Sequence, residues 1–120
     1  MPRTPEQLIH SHHPAARLEK EKDFQAEIES LFLNEGIEHI REYRLSKKDI
    51  PDFWIPETGT VLEVKTAKGF ISILRQLKRY AIHDQVKSLI LITNHPKGGA
   101  LPDSLHGKPL KTIEIWKWNL

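Results

Sequence analysis

The stretch TVLEVKTAKG, residues 60–69, places an acid and a base two positions apart in an otherwise apolar, strand-like run. Side chains at positions i and i+2 of a strand leave the same face, so Glu63 and Lys65 should lie side by side. Leu62 and Val64 should point to the opposite face. Taken alone, the pair is either a surface ion pair of little energetic weight or part of a site.

The flanking sequence predicts a sheet packed against helices. A helical apolar pattern covers about residues 19–35, and Gly36 follows as its stop. Three strand-like runs come next, and turn-forming sequences separate them. A second amphipathic helix should follow, and then two further strands. The predicted order is αβββαββ, with helices at about 19–35 and 70–83 and strands in the runs IREYRL (40–45), IPDFWI (50–55), TVLEVKT (60–66), SLILIT (88–93) and KTIEIWKW (111–118).

The length and composition of the chain indicate one α/β domain. The 120 residues are enough for one core, and we expect a flexible N-terminal arm at 1–18 and a single domain at 19–120. The sequence has no cysteine, so it can form no disulfide framework and no thiolate metal site. It also has no apolar stretch near 18 residues and no signal-like N-terminus. We therefore expect a soluble, cytoplasmic protein without a membrane partner.

Charge is distributed unevenly along the chain. Residues 19–42 hold eight acidic side chains and three basic ones, whereas residues 65–87 hold six basic side chains and one acidic one. The basic segment suits a polyanion, and its candidate contacts are Lys68, Arg75, Lys78 and Arg79. An ordinary solvated helix face is the alternative interpretation.

Asp52 gives the Glu63–Lys65 pair a chemical context. If the second and third strands form a hairpin, Asp52 can lie across from Glu63, because paired side chains on one face are about 5 Å apart. Two carboxylates this close repel each other unless a cation lies between them. Oxygen ligands of this kind suit Mg²⁺ or Mn²⁺, and Lys65 beside them could orient or activate a water that attacks a phosphate.

Pro51 and Asp52, ten intervening residues and then Glu63, Val64 and Lys65 resemble the motif of the PD-(D/E)XK nuclease superfamily. The order helix, three strands, helix, strand also resembles the restriction-endonuclease-like αβββαβ core of that superfamily, with a mixed central sheet flanked by helices. The strand at 111–118 would be an addition at the C-terminus. The resemblance covers roughly residues 19–93 and is loosely closest to small phage or mobile-element members.

The resemblance implies roles for individual residues. Asp52, Glu63 and the backbone carbonyl of Val64 would ligate the metal, and Lys65 would be the catalytic base or electrostatic stabiliser. Gln76 matches a glutamine that supports the active site in many members.

The superfamily also carries a glutamate on its first helix, and helical geometry selects Glu21 among several acids here. Glu21 shares the inward stripe with Ile28 and Phe32, whereas Glu27 and Glu29 fall about 90 to 120° from the stripe's centre. A favourable charge at the helix N-terminus is the alternative role for Glu21.

These observations predict a Mg²⁺- or Mn²⁺-dependent endonuclease that hydrolyses phosphodiester bonds in DNA. Because one small domain covers few base pairs, we expect a homodimer, and nicking or junction cleavage stays open. The alternatives are an RNA-cleaving enzyme, a catalytically silent nucleic-acid-binding or assembly module on the same fold, and a small structural α/β protein.

Overall fold

The computed structural model describes residues 3–12, 21–65, 69–94 and 100–115. Within these ranges the chain forms three helices and six strands. In chain order they are α1 (Pro5–His12), α2 (Glu21–Glu35), β1 (Ile40–Arg41), β2 (Phe53–Ile55), β3 (Thr60–Lys65), α3 (Phe70–Ile82), β4 (Ser88–Thr93), β5 (Ser104–Leu105) and β6 (Lys108–Glu114).

The described strands form one mixed sheet in the order β1-β2-β3-β4-β6-β5. The first three strands are an antiparallel meander, as predicted. β3 and β4 are parallel, and α3 makes the connection that parallel neighbours require. β6 pairs with β4 in parallel and with the short β5 in antiparallel, so it lies next to one edge. The predicted α/β class with a mixed sheet between helices is confirmed.

The alternation along β3 divides the core into two layers. Leu62 and Val64 pack with the apolar side chains of α1 and α2, whereas Val61 packs with those of α3. Because Glu63 and Lys65 share the face of Val61, they also lie on the side of the sheet that α3 covers. The register of β3 therefore determines which helix the acid and the base meet.

Local signals set the ends of α2 and of the β2–β3 hairpin. Gly36 has φ of 71°, and the amides of Gly36 and Ile37 donate to the carbonyls of Leu33 and Phe32, which is the Schellman pattern. The helix therefore stops at the predicted glycine. Pro56 to Gly59 form the predicted turn of the hairpin, and Gly59 has φ of 65°.

The N-terminal region differs from the flexible arm predicted for residues 1–18. Residues 5–12 are helical, and Leu8 and Ile9 are fully buried in the core layer that also holds α2. Thr4 and Gln7 cap this helix reciprocally, because each backbone amide donates to the other's side-chain oxygen. Pro5 at the first helical position suits this start. Burial of these two apolar side chains stabilises the helix against the core. The proline- and histidine-rich composition of the segment gave no indication of this packing.

No helix in the described part of the chain is both long enough and apolar enough to cross a bilayer.

The close approach at Gly59 generates a prediction about stability. A Cβ at Gly59 would lie 2.8 Å from Lys87 Cγ and 3.1 Å from the carbonyl oxygen of Gln85, in addition to the positive φ. Gly107 has φ of 76° but no heavy atom within 4 Å of such a Cβ. Gly107→Ala should cost about 1 kcal/mol of unfolding free energy, and Gly59→Ala should cost about 1 to 2 kcal/mol more. Urea unfolding of both variants measures this, and equal losses would contradict the close approach.

Candidate metal and phosphoryl-transfer site

Asp52 and Glu63 face each other across the start of the β2–β3 hairpin. Phe53 pairs with Leu62, which places Asp52 opposite Glu63. The backbone amide of Asp52 donates to Glu63 Oε1 at 3.1 Å, and the backbone amide of Val64 donates to Asp52 Oδ2 at 2.8 Å. Each acid is therefore held by the backbone of the strand opposite its own.

The sequence analysis placed Asp52 within the second strand, but β2 begins one residue later, at Phe53. The predicted proximity to Glu63 nevertheless holds, because the Asp52 carboxylate continues the ladder by accepting from Val64. Lys65 lies beside Glu63 as predicted, with Nζ 3.2 Å from Glu63 Oε2. The Glu63 side chain is 3% exposed and that of Lys65 is 25% exposed, so the pair is not an ordinary surface ion pair.

Tyr80 is a site residue that the sequence analysis missed. Its hydroxyl donates to Glu63 Oε1 at 3.2 Å, and Gln76 Nε2 donates to the Tyr80 hydroxyl oxygen at 2.9 Å. Gln76 thus reaches Glu63 through Tyr80, one turn further along α3. The ring of Tyr80 is buried among the apolar side chains on the α3 side of the sheet. The spacing of Gln76 and Tyr80 at i and i+4 could have predicted that Tyr80 lies beside Gln76, because such residues share one helix face.

Burial and mutual repulsion destabilise the charged forms of the two acids. Burial raises the pKa of Glu63, the nearby Asp52 carboxylate raises it further, and the pKa reaches about 7. Burial also raises the pKa of Asp52, although the hydrogen bond from Val64 and the charge of Lys65 oppose this. The pKa of the Tyr80 hydroxyl is raised by burial and then by the charge of Glu63, so Tyr80 stays a neutral donor. A cation would relieve the repulsion that these shifts express.

Glu21 lies at the first turn of α2, half-buried, and its charge contributes to raising the pKa of Asp52. The structure therefore brings Glu21 within electrostatic range of the acid pair. Gln25, one turn further along α2, is buried.

Glu29 lies off the buried stripe of α2, as its angle predicted, but its side chain is half-buried and paired. Glu29 accepts from Arg41 at 3.0 Å and lies 2.9 Å from the ring nitrogen Nε2 of His39. These partners lie on β1 and just before it. The angular position of Glu29 around α2 says nothing about contacts with another element, so it could not predict them.

The three predicted phosphate contacts on α3 occupy one arc of the helix, with Arg75 between Lys78 and Arg79. Arg75 and Lys78 are exposed on α3, and Arg79 is 45% exposed while its Nε donates to Asp49 at 2.9 Å. With about 100° per residue, Arg79 lies about 60° from Gln76 around the helix, whereas Lys78 lies about 160° from it. Of the three, Arg79 lies nearest the site and Lys78 furthest from it, with Arg75 about 100° from Gln76. Lys68 lies outside the described residues.

The donor set fits a hard divalent cation. Backbone amides and the Tyr80 hydroxyl engage Asp52 Oδ2 and Glu63 Oε1, so a cation would bind through Asp52 Oδ1 and through Glu63 Oε2, which it would share with Lys65. Glu63 Oε2 is also the oxygen nearest Lys65. The described ranges contain no cluster of three His, Cys, Asp or Glu side chains arranged to hold a metal. Mg²⁺ commonly uses only one or two carboxylates and completes its shell with water and phosphate oxygens.

Comparisons of the chain with protein-family models, with curated proteins and with solved structures find no match. The resemblance to the nuclease superfamily therefore depends on the motif, the element order and the geometry of the site.

The raised pKa of Glu63 predicts how stability changes with pH. A buried acid with a raised pKa binds a proton in the folded state over a range where the unfolded chain has lost it, so stability falls as pH rises from 4.5 to about 7. Glu63→Gln carries no charge at any pH. Relative to wild type, it should gain unfolding free energy on the order of 3 kcal/mol between pH 4.5 and 8.

Urea unfolding of both proteins in EDTA measures this difference. A difference between variant and wild type that stays constant from pH 4.5 to 8 would contradict the burial of the Glu63 charge.

Proposed function

We propose that this protein is a divalent-metal-dependent nuclease of the PD-(D/E)XK type. The observation that carries the proposal is the pair of acids, Asp52 and Glu63, that the β2–β3 backbone holds together with Lys65 at 3.2 Å from Glu63. This arrangement has an energetic cost in the protein alone, because burial and repulsion disfavour both charges. A site with this cost is typical of function rather than of stability.

Asp52 and Glu63 would hold Mg²⁺ or Mn²⁺, with the Val64 carbonyl as a further ligand by resemblance. A bound cation of this kind neutralises charge on the phosphate and lowers the pKa of bound water. In the reaction, a water oxygen bonds to phosphorus and one bridging P–O bond breaks. The proton of the water ends on the leaving oxygen. No cleaved bond requires an oxidant or a further reactant.

The protein's own residues have separate roles in this scheme. The Lys65 ammonium, 3.2 Å from Glu63 Oε2, would orient the attacking water and stabilise the charge that develops on the phosphoryl oxygens. Tyr80 and Gln76 do not reach the reacting atoms but fix Glu63 through successive hydrogen bonds of 3.2 and 2.9 Å. Glu21 would position a water or add negative charge near Asp52.

The element order supports the finer assignment to the restriction-endonuclease-like core. α2, the antiparallel meander β1-β2-β3, α3 and the parallel β4 follow the predicted αβββαβ order. β6 continues the sheet beyond this core. We propose DNA as the substrate and a homodimer as the active form, because a domain of 120 residues covers few base pairs.

The experiment that tests the proposal is an incubation of the purified protein with supercoiled, linear, single-stranded and branched DNA and with RNA. Each substrate is tested with Mg²⁺, with Mn²⁺ and with EDTA. Metal-dependent cleavage of DNA is expected. Binding of nucleic acid without cleavage in any metal would favour a catalytically silent module. Absence of both binding and cleavage would favour a structural protein.

Asp52→Asn and Glu63→Gln should each lower the cleavage rate by at least about 100-fold, because both remove charge that stabilises the transition state. Lys65→Ala should keep metal and DNA binding, since both acids remain, but should lose turnover. Glu57→Gln is the matched control, because Glu57 is an exposed acid in the turn of the same hairpin. Wild-type rates in any of the first three folded variants would remove that residue from the site.

Glu21→Gln should depress the cleavage rate strongly without unfolding the protein, because Gln keeps the size and removes the charge near Asp52. The control is Asp23→Asn, since Asp23 is an exposed acid in the same first turn and shares the helix-dipole effect. Asp23→Asn should stay close to the wild-type rate and within about 0.5 kcal/mol in stability. Equal effects of the two substitutions would assign Glu21 to the helix dipole.

A further inference from the structure

The connection between β1 and β2, residues 42–52, carries three exposed cations near the candidate site. Arg44, Lys47 and Lys48 are all exposed. Of the three acids in this connection, Glu42 pairs with Lys22 at 2.9 Å, Asp49 is bound to α3, and Asp52 accepts a hydrogen bond from Val64. This segment is separate from the basic run at 65–87. The sequence predicted residues 46–49 as a turn and the residues on either side as strand, whereas β1 ends at Arg41 and β2 begins at Phe53.

Hydrogen bonds hold the segment in one conformation. The amides of Lys48 and Asp49 donate to Ser46 Oγ at 3.3 and 3.2 Å, and the amide of Leu45 donates to the Asp49 carbonyl at 2.9 Å. At the base, the amide of Glu42 donates to the Asp52 carbonyl at 2.9 Å. The three cations are therefore presented from an ordered backbone, which lowers the entropy cost of binding.

Asp49 anchors the segment to α3. Its two carboxylate oxygens lie 2.9 Å from Arg79 Nε and 3.0 Å from His83 Nε2. Burial acts to raise the pKa of Asp49, but hydrogen bonds from His83 and Arg79 together outweigh it and hold that pKa below its usual range. Tyr43 stacks on Trp54 with ring centroids 5.2 Å apart, which fixes the other side of the segment on β2.

These anchors place the cations beside the site. Asp49 lies three residues before Asp52, and its partner Arg79 immediately precedes Tyr80, which donates to Glu63. The cations of the segment and the half-exposed Arg79 are thus joined through Asp49, on the α3 side of the hairpin that carries both acids.

The surface has the composition of a site for a duplex backbone rather than for a single strand. Proteins that bind single strands combine cations with aromatic side chains on which bases stack. Every Phe, Tyr and Trp in the described ranges is buried or half-buried, and Tyr43 and Trp54 stack on each other. The exposed Lys and Arg side chains of the segment can therefore contact phosphates, whereas no exposed ring in these ranges is available to stack on a base.

We infer that the connection 42–49, anchored by Asp49, binds the phosphate backbone of double-stranded DNA next to the candidate site. This inference rests on the proposed function, since it names the ligand that the same site would cut. It adds a binding element and selects the duplex over the single strand.

The test compares two variants that lose the same charge. Lys47→Ala with Lys48→Ala removes two cations of the segment. Lys87→Ala with Lys111→Ala removes two exposed lysines elsewhere: Lys87 lies beside Gly59, in the turn at the opposite end of the hairpin, and Lys111 lies on β6, three strands from β2. Fluorescence anisotropy in EDTA follows binding to duplex DNA and to a single strand of equal length over a range of KCl concentrations, so no cleavage intervenes.

Wild type should bind the duplex more tightly than the single strand. The Lys47/Lys48 variant should bind the duplex about tenfold more weakly, with a salt slope smaller by about two, whereas the Lys87/Lys111 variant should keep the wild-type slope. An unchanged slope in the Lys47/Lys48 variant, equal losses in both variants or preference for the single strand would overturn the inference. If any of these occurs while wild type still cleaves DNA with Mg²⁺, only the inference fails. If wild type neither binds nor cleaves nucleic acid, the proposed function fails with it.

Discussion

The reciprocal hydrogen bonds between Asp52 and the β3 backbone, and between Glu63 and the backbone at Asp52, are the constraint on which the site depends. They place two carboxylates opposite each other at the point where the β2–β3 ladder begins. The antiparallel register produces this contact directly, so the site needs no flexible loop to assemble it. Lys65 and Tyr80 then reach Glu63 from the strand and the helix that pack around it.

The rest of the fold supports this contact from two sides. The apolar layer beneath α1 and α2 holds the other face of β2 and β3, while α3 brings Gln76 and Tyr80 to the side of the acids. Burial makes the arrangement expensive, because it raises the pKa of both carboxyl groups. Holding two charges that repel each other lowers the stability of the protein. A cation that also binds a phosphate would relieve this repulsion.

The sequence predicted the parts that depend on local periodicity. Period-two alternation placed Glu63 beside Lys65, the hairpin placed Asp52 opposite Glu63, and Gly36 marked the end of α2. It did not predict contacts between distant elements, such as Asp49 with Arg79, because only the folded chain brings them together. Composition also misled the analysis at the N-terminus, where a capped helix with two buried apolar side chains lies within a proline- and histidine-rich segment.

Titration of the protein with Mn²⁺, followed by calorimetry and by electron paramagnetic resonance, tests the central claim most directly. The claim is that Asp52 and Glu63 form a cation site, and the measurement requires no substrate. Wild type and Glu57→Gln should bind Mn²⁺ alike, whereas the folded double variant Asp52→Asn with Glu63→Gln should lose that binding. Mn²⁺ binding of equal affinity and stoichiometry in the double variant would contradict it.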